Sequence, residues 1–364
     1  MSDLISLFIG RLNIGGAERV AVNLSKGLSN RNYDVEIILL KKEGELLDDI
    51  PSDVSITSLE VSRARLAFKP LIKYLFNNRP ETIISFMTQA NIITAVSNKL
   101  AGSPATTILT EHTTLSKKHS ITTKRDRLLG KYTYRLSDHI VGVSNGVAND
   151  VAQWSNISED GIETIYNPTI PESFLNKNYN MPDHPWFRDN NTSVILSAGR
   201  HVPQKEYSTL IKSFSRLVTD HNVRLILLGD GRLTDDYKNL VKSLGIEDYV
   251  LMPGFIKDPY DYMSHADVFV VSSKLEGLSL VIIEALGTGT PVVSTDCPHG
   301  PREILDNGKY GKLVPIGDDK EMATEIVNVL NSSTDPEFLK SRASDFTIEA
   351  IVKKYVELIE NRDL

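Results

Sequence analysis

The chain has 364 residues, of which 41% are hydrophobic and 24% are charged, and its net charge is −7. This length accommodates two domains, and the composition is that of an ordinary globular protein. Its one cysteine, Cys297, excludes an internal disulfide, and no apolar run reaches the roughly 18 residues of a membrane-spanning helix. The first residues lack the pattern of a signal peptide, so we expect a cytoplasmic protein.

Short apolar runs of β type alternate with helical patterns along the chain. The first half contains the predicted strands Leu4–Ile9, Val35–Leu40, Ile83–Phe86, Thr107–Leu109 and Ile140–Val143. The second half contains the predicted strands Val194–Ser197, Arg224–Leu228, Val250–Met252, Val268–Val271 and Pro291–Ser294. This alternation predicts an α/β fold of two Rossmann-like domains that face each other across a cleft. Ligands of such sheets bind beyond the carboxyl ends of the strands.

A segment of irregular composition separates the two series. Residues 167–191 are rich in Pro and Asn and show no regular period, which is typical of a linker. The predicted domains are therefore residues 1–180 and residues 190–346. A last helical pattern covers Ile348–Glu360.

Polar motifs follow two of the predicted strands in the first half. Gly15 and Gly16 precede a helix that carries Glu18 in its first turn. Paired glycines let a ligand approach the backbone, although they also form tight turns, and Glu18 also offsets the helix dipole. Glu111 and His112 come just after the fourth predicted strand, where a histidine is either a ligand or a structural side chain.

The second half begins with a strand that ends at Gly199. Arg200 and Lys205 follow, before a helix that starts near Tyr207. Two cations at the carboxyl end of a strand suit a diphosphate, because arginine offers a fork of donors and lysine a point charge. The alternative is a solvated loop. Residues 229–231, Gly-Asp-Gly, form another turn after a strand, a pattern common to many α/β loops.

Two glutamates eight positions apart are the most informative feature of the chain. Glu276 falls in a turn between a strand and a helix, and Glu284 lies about two helical turns further along. Gly287 and Gly289 are predicted to end that helix. Acids beside such a turn suit sugar hydroxyls, while the turn amides and the positive end of the helix suit a phosphate.

Several motifs are absent from the sequence. Neither G-x-G-x-x-G nor G-x-x-x-x-G-K-[ST] occurs, which argues against a dinucleotide oxidoreductase and a P-loop enzyme. D-x-D and clustered His and Cys residues are also absent, so we expect neither a metal ion nor another cofactor.

The ordered set of motifs resembles family-four retaining glycosyltransferases of the GT-B fold, over nearly the whole chain. The resemblance implies that Arg200 and Lys205 hold the donor diphosphate. It implies that Glu276 contacts the transferred sugar and that Glu284 binds the ribose hydroxyls. Residues 295–305 also resemble bacterial members that extend lipid-linked oligosaccharides or surface polysaccharides.

The resemblance extends to the backbone of the site and to the first domain. His112 would hydrogen-bond the sugar, as a catalytic residue together with the two cations and Glu276, and Gly16 would line the donor phosphates. The remaining donor-binding positions lie in the two turns of the second half: Gly199, Gly277, Leu278, Ser279 and Leu280. Family members also return their last helix to the first domain, which makes Ile348–Glu360 the candidate.

The implied activity is metal-independent, retaining transfer from a nucleotide diphosphate sugar to a glycan hydroxyl. A UDP-linked hexose or N-acetylhexosamine is the expected donor, and a polyprenyl-linked glycan the expected acceptor. A nucleotide-sugar epimerase of the same fold is one alternative, and it would turn over the donor without an acceptor. A non-catalytic sugar-nucleotide-binding or polysaccharide-binding protein is the other, and it would release no nucleotide.

Two basic stretches interrupt the acidic chain. Residues 61–79 contain five Lys and Arg and no acid, and residues 117–135 contain seven and one acid. Apolar residues lie among these cations: Leu66, Phe68, Leu71, Leu75, Phe76, Leu128, Leu129, Tyr132 and Tyr134. We expect an anionic membrane at the cytoplasmic face as the partner, with solvated helix faces as the alternative. Nucleic acid is not expected, because the overall charge is negative.

Overall fold

The structure is a computed structural model that describes residues 4–116 and 130–360. The chain divides into two compact units. Unit 1 comprises Met1–Thr169 and Thr347–Leu364, and unit 2 comprises Ile170–Phe346. Each unit contains one parallel sheet with helices between its strands, which confirms the predicted α/β fold of two Rossmann-like domains.

The sheet of unit 1 has seven parallel strands in the order β3-β2-β1-β4-β5-β6-β7. Their bounds are Leu4–Ile9 (β1), Asp34–Leu39 (β2), Ser55–Ser58 (β3), Thr82–Phe86 (β4), Thr106–Glu111 (β5), His139–Gly142 (β6) and Glu163–Thr164 (β7). The helices between them are Gly16–Ser29 (α1), Phe68–Asn78 (α2), Thr88–Leu100 (α3) and Asn145–Ser155 (α4). In the central register Leu7 lies beside Ile37 on one side and Ile84 on the other, and all three are buried.

The sheet of unit 2 has six parallel strands in the order β10-β9-β8-β11-β12-β13. Their bounds are Ser193–Ala198 (β8), Val223–Leu228 (β9), Val250–Gly254 (β10), Val268–Val271 (β11), Val292–Thr295 (β12) and Lys312–Val314 (β13). The helices are Tyr207–Ser215 (α5), Thr234–Ser243 (α6), Tyr260–His265 (α7), Leu280–Thr288 (α8), Pro301–Ile304 (α9), Asp319–Leu330 (α10) and Pro336–Ala343 (α11).

All ten predicted strands occur, and the three that the sequence did not predict are β3, β7 and β13. Each of these lies at an edge of its sheet. An edge strand needs only one partner and is half exposed, so it can be short and polar. The apolar runs used for prediction are a property of strands buried on two faces, so every interior strand was found, whereas β10, with the run Val250–Met252, is the one edge strand in the described residues that was also predicted.

The predicted end of α8 needs one correction. Gly289 does end the helix, with a left-handed φ of 83°, but Gly287 lies inside it. A Cβ atom at Gly287 would lie 2.9 Å from Cδ1 of Ile170 and 3.0 Å from the ring of Phe174. Because Gly287 has no side chain, Ile170 and Phe174 can pack closely against α8.

That same segment sets where unit 2 begins. Phe174 is buried, and its ring meets the ring of Tyr260 edge-on at 4.8 Å. Residues 170–180 therefore belong to unit 2, whereas the domain boundary predicted from the sequence puts them in the first domain. The run of Pro and Asn hid this packing, because its helical turns are short 3₁₀ segments without an amphipathic period.

The last helix, Ile348–Glu360 (α12), belongs to unit 1 and packs on α1. A Cβ atom at Gly27 would lie 2.4 Å from Val352 and 2.8 Å from Ile348, so the glycine allows the two helices to approach closely. Polar contacts at the ends support the pairing, because Arg31 donates to the Glu349 carbonyl at 3.1 Å.

Candidate functional site

Each sheet has a point at which the strand order reverses. In unit 2 the chain runs from β8 outward to β9 and β10, and then returns to β11 on the other side of β8. The carboxyl ends of β8 and β11 therefore border the crevice where ligands bind in open α/β sheets. In unit 1 the corresponding reversal lies between β1 and β4.

Hydrogen bonds join the two turns at the reversal point of unit 2. The hydroxyl of Ser272 donates to the Lys205 carbonyl at 2.8 Å. Lys274 N donates to the Gln204 carbonyl at 2.8 Å, and the Gln204 amide donates to the Leu275 carbonyl at 2.6 Å. The predicted site residues that follow β8 and those that follow β11 are thus held together.

Lys205 and Glu276 form an ion pair in this place. The Lys205 ammonium lies 2.7 Å from Glu276 Oε1, and the Ser273 hydroxyl donates to the same oxygen at 2.6 Å. The side chains of Lys205 and Glu276 are only 20% and 9% exposed. An ammonium group has three donor protons, and the carboxylate takes one. Lys205 can therefore hold Glu276 and still donate to an anion.

Arg200 lies in the same turn but does not join this cluster. Its guanidinium is exposed and makes no hydrogen bond or ion pair with any residue in the described part of the chain. The structure therefore brings Lys205 and Glu276 together and leaves Arg200 at the rim, with its fork of donors open to a ligand.

The glycines of the two turns after β8 and β9 allow close contact between them. Gly199 and Gly229 have left-handed φ values of 153° and 124°. A Cβ atom at Gly229 would lie 2.0 Å from the Gly199 carbonyl oxygen, and one at Gly231 would lie 2.6 Å from that of His201. The turn at residues 229–231 thus supports the turn that carries the two cations.

His201 is a buried residue of this support that sequence reasoning missed. The hydroxyl proton of Thr234 goes to Asp230 Oδ1 at 2.6 Å, so Thr234 Oγ1 accepts from His201 Nδ1 at 2.8 Å. Burial lowers the pKa of His201, with Asp230 opposing the shift. The ring is therefore neutral with its proton on Nδ1. Nε2 is buried and has no hydrogen-bond partner among the described residues.

The N-terminus of α8 lies at the end of the turn that carries Glu276. Ser279 is the N-cap residue, yet its side chain caps no backbone amide. Its hydroxyl is buried and has no hydrogen-bond partner in residues 4–116 and 130–360. The first amides of a helix have no partner within the helix and attract anions. This end of α8 therefore offers a hydroxyl and backbone amides to a phosphate.

A third segment supports the turn before α8. Glu276 N donates to the Pro298 carbonyl, and His299 N donates to the Glu276 carbonyl, each at 3.0 Å. Gly300 has a φ of 83°, and its Cβ would lie 3.1 Å from both the Gly277 oxygen and Leu278 Cα. The Pro-His-Gly sequence that resembled bacterial relatives thus braces the predicted donor-binding turn.

Glu284 is buried on α8, five residues and about 7.5 Å along the axis from Ser279. The Tyr260 hydroxyl donates to Glu284 Oε1 at 3.5 Å, a long hydrogen bond. Glu284 therefore lies about 1.4 turns along the same helix from Ser279, the predicted phosphate position.

Cys297 lies buried near the ion pair. Burial, assisted by the charge of Glu276, raises the pKa of its thiol to about 12. The thiol is therefore protonated at neutral pH and is not a nucleophile.

In unit 1, Gly15 is the N-cap of α1 and Gly16 is its first residue. A Cβ atom at Gly15 would lie 2.2 Å from Glu18 Oε2, so the Glu18 side chain folds over the start of the helix. This agrees with the reading of Glu18 as a partner of the helix dipole. The paired glycines lie beyond β1, at the reversal point of the sheet.

His112 lies at the carboxyl end of β5 and is mostly buried. The Thr110 hydroxyl donates to the Ser85 carbonyl at 2.8 Å, so Thr110 Oγ1 accepts from His112 Nε2 at 3.0 Å. The ring also packs 5.7 Å from the ring of Phe86. These contacts fix the orientation of the imidazole.

Glu111, the preceding residue, is fully buried and holds three elements together. Oε1 accepts from Asn91 at 3.0 Å and from the Tyr134 hydroxyl, and Oε2 accepts from Thr88 at 3.2 Å. Burial and the charge of Glu111 raise the pKa of Tyr134, so its phenol remains a donor. Tyr134 is therefore a core residue, and its predicted place on a membrane-binding surface is wrong.

Two further properties concern the described residues as a whole. In residues 4–116 and 130–360, no three His, Cys, Asp or Glu side chains are placed to hold a metal ion. Within the same ranges, no helix combines the length and apolar character needed to cross a membrane.

The chain matches known glycosyltransferases along its length. Residues 14–173 match the model of Glycosyltransferase Family 4, and residues 183–346 match the model of glycosyl transferases group 1. The chain is 30% identical over 355 residues, 93% of each chain, to N-acetylgalactosamine-N,N'-diacetylbacillosaminyl-diphospho-undecaprenol 4-alpha-N-acetylgalactosaminyltransferase of Campylobacter jejuni. It is 26% identical to the amylovoran biosynthesis glycosyltransferase AmsD of Erwinia amylovora, over 99% of this chain and 100% of the other.

Solved structures of other glycosyltransferases have the same fold. The structure of Anabaena HepE in complex with UDP matches with a TM-score of 0.82 and 20% identity, over 99% of each chain. The two parallel-sheet units are those of GT-B glycosyltransferases. The matches of sequence in both units, together with this fold, show that the chain belongs to the family-four glycosyltransferases.

Proposed function

We propose that the protein transfers a sugar, with retention of configuration, from a UDP-linked hexose or N-acetylhexosamine to a hydroxyl of a polyprenyl-linked glycan. The observation that carries this proposal is the edge of unit 2, where the Lys205–Glu276 pair adjoins the turn into α8. The HepE complex with UDP supports the donor. The undecaprenol-linked substrate in the name of the C. jejuni relative supports the acceptor and a role in surface glycan assembly.

In this proposal Lys205 and Arg200 stabilise the diphosphate as it leaves. The bond between the sugar and the donor phosphate oxygen breaks, and a bond to the acceptor oxygen forms. We assign the acceptor's proton to the departing phosphate. Ser279 and the first amides of α8 donate to the same phosphate. Fixed donors of this kind act most strongly where charge develops in the transition state.

We assign recognition of the donor to two glutamates of unit 2 and to two residues of unit 1. Glu276, oriented by Lys205 and Ser273, accepts hydrogen bonds from the transferred sugar, and Glu284 accepts them from the ribose. The family resemblance assigns the sugar to His112 as well and the donor phosphates to Gly16. The backbone of Gly199 and of Gly277, Leu278 and Leu280 completes the proposed donor site.

Two further parts of the proposal concern a metal and location. In this proposal the positive charges of Arg200 and Lys205 neutralise the donor diphosphate in place of a metal ion, so turnover does not require a metal ion. The acceptor lipid lies in the cytoplasmic membrane, so the protein acts at its inner face as a peripheral enzyme.

The test begins with a panel of UDP-glucose, UDP-galactose and their N-acetylated analogues, scored by thermal stabilisation. The stabilising donor is then incubated with polyprenyl-diphosphate oligosaccharides, and the new linkage is assigned by NMR. We expect an α-linked product from an α-linked donor, and unchanged turnover in excess EDTA. An inverted linkage would refute retention, and a loss of turnover that Mn²⁺ restores would refute metal independence.

The same assay separates the alternatives. Conversion of the donor to an isomeric UDP-sugar without acceptor would identify an epimerase. Donor binding without UDP release, with every acceptor tested, would identify a binding protein.

A further inference from the structure

Helix α2 presents an unusual outward face. Leu71, Tyr74 and Leu75 of this helix are buried in the core of unit 1. On the opposite side, Leu66 and Phe76 are 51% and 62% exposed. An amphipathic helix that has already buried its apolar side is expected to show solvent a polar side.

The exposed apolar residues are aligned with two lysines. Leu66, Lys69, Lys73 and Phe76 follow one another at spacings of three, four and three residues. Ala67, between the short turn and α2, has helical φ and ψ, so the helical path is continuous from Leu66. At 100° per residue these four positions fall within roughly 100° of one another. We name them the α2 stripe.

The cations around the stripe have no acidic partners among the described residues. None of the five basic side chains in residues 61–79 forms an ion pair or a hydrogen bond with a residue in the described ranges. Some basic residues on other helices do have an acidic partner within a turn, as Lys340 has with Glu337 and Lys353 with Glu357. Residues 61–79 therefore form an uncompensated positive surface. The basic residues are Arg63, Arg65, Lys69, Lys73 and Arg79.

The beginning of the stripe lies at the ligand edge of the sheet. The chain entering it is bound to the end of β2, because Leu59 N donates to the Leu39 carbonyl and Val61 N donates to the Leu40 carbonyl. Leu40 N in turn donates to the Gly10 carbonyl, just beyond β1. The loop before the stripe therefore adjoins the segment that leads to Gly15 and Gly16.

We propose that the α2 stripe docks on an anionic lipid surface, with Phe76 and Leu66 entering the headgroup region and the cations facing the lipid phosphates. The inference rests on the proposed function, because a polyprenyl-linked acceptor lies in such a surface. Cations interleaved with exposed apolar side chains on one helix face suit a lipid interface. Each basic residue near an anionic membrane raises partitioning by roughly fivefold.

Only part of the predicted membrane surface enters this proposal. Leu71 and Leu75 are core residues, which corrects their assignment to the surface. Residues 117–129, with Lys117, Lys118, Lys124, Arg125, Leu128 and Leu129, lie outside the described residues. Tyr132 is exposed, but Tyr134 is buried against Glu111.

The test is co-sedimentation of the full chain with vesicles of phosphatidylcholine containing 30% phosphatidylglycerol, at low and high salt. Two double variants remove the two parts of the stripe: Lys69→Ser with Lys73→Ser, and Leu66→Ser with Phe76→Ser. Lys238→Ser with Lys242→Ser is the matched control, since these lysines are four positions apart on the exposed side of α6. Because all six positions except Leu66 lie on helices and none is buried, the variants should fold.

We expect the wild type to bind vesicles only when they contain the anionic lipid, and to bind more weakly in salt. The Lys69→Ser, Lys73→Ser variant should bind roughly 25-fold more weakly, and the control variant should bind like the wild type. The Leu66→Ser, Phe76→Ser variant should bind vesicles more weakly than the wild type at both low and high salt. Binding that is absent in the wild type, or equal in all three variants, would overturn the proposal. Capture by acidic proteins but not by vesicles would assign the stripe to a protein partner instead.

A second readout separates this inference from the proposed function. Transfer to a short-chain, water-soluble acceptor should be equal in the wild type and the stripe variants. Vesicle binding without transfer to any acceptor would refute the proposed function and support the α2 stripe as a lipid-binding surface. Transfer without vesicle binding would support the proposed function and refute the lipid-binding role of the α2 stripe.

Discussion

Two buried glutamates invite comparison. Both lie at the carboxyl edge of a parallel sheet, since Glu111 is the last residue of β5 in unit 1 and Glu276 lies in the turn after β11 in unit 2. Among the described residues, the carboxylate of Glu111 accepts hydrogen bonds from three neutral donors, a phenol, an amide and a hydroxyl. The carboxylate of Glu276 is held by an ammonium group and a hydroxyl.

The difference in partners separates a structural acid from a candidate catalytic one. The donors of Glu111 are themselves buried side chains that tie α3 and the Tyr134 segment to the end of β5, so little remains to offer a ligand. The partner of Glu276 is a cation with two donor protons to spare, in a turn at the reversal point. Burial alone does not distinguish these two cases, whereas the charge and remaining donors of the partner do.

The largest expected effect is that of Lys205→Ala. Loss of the ammonium should lower turnover by roughly 2–4 kcal/mol of transition-state stabilisation, as when one fixed donor is removed. The measurement is kcat with the identified UDP-sugar. Lys274→Ala is the matched control, because Lys274 pairs with Glu206 at the exposed side of the same turns. A folded Lys205→Ala protein with near wild-type kcat would mean that the Lys205–Glu276 pair is structural, as the Glu111 network is.

Glu284→Gln should affect binding more than chemistry. If its carboxylate accepts from the ribose, the amide should weaken UDP affinity by roughly 1.5–3 kcal/mol, the range for hydrogen bonds to charged groups. Isothermal titration with UDP measures this loss, and kcat at saturating donor should change little. Abolished kcat with unchanged UDP affinity would contradict the assignment. Glu247→Gln, at an exposed position of unit 2, is the control.

Tyr134→Phe tests the other glutamate. Removing one donor leaves the Glu111 carboxylate incompletely satisfied, so the unfolding free energy should fall by roughly 1–2 kcal/mol. The kcat of the folded variant should stay near that of the wild type. Tyr132→Phe is the control, because Tyr132 is 63% exposed. A loss of kcat without a loss of stability would mean that the Glu111 network acts in catalysis.

The smallest effect is the pH dependence contributed by His201. Its folded pKa lies below the ordinary value of 6.5, so the unfolded chain binds more protons as pH falls through that value. The stabilisation is therefore complete above pH 6.5 and decreases below it. His201→Asn should reduce the drop in Tm between pH 7.5 and 5.5, while His221→Asn at an exposed position should not. Parallel Tm curves for wild type and His201→Asn would disprove the buried neutral ring.

The sequence predicted the interior strands and the residues that line the reversal point, because apolar runs and local turn chemistry are short-range signals. It missed contacts formed between elements. Tyr134 reaches Glu111 from 23 positions away, and Thr234 reaches His201 from 33. Nothing in the local pattern separates Tyr134 from Tyr132, since only packing decides which ring is buried. The glycines at 229 and 231 were similarly ambiguous until the neighbouring turn was in place.

The position of α12 has a consequence for biosynthesis. Unit 2 is an uninterrupted stretch of chain, whereas unit 1 lacks one helix until residues 348–360 have been made. During translation, the surface of α1 around Gly27 has no α12 to pack against until the whole of unit 2 has left the ribosome. Unit 2 is therefore able to finish folding before unit 1, whose completion is deferred until α12 has been made.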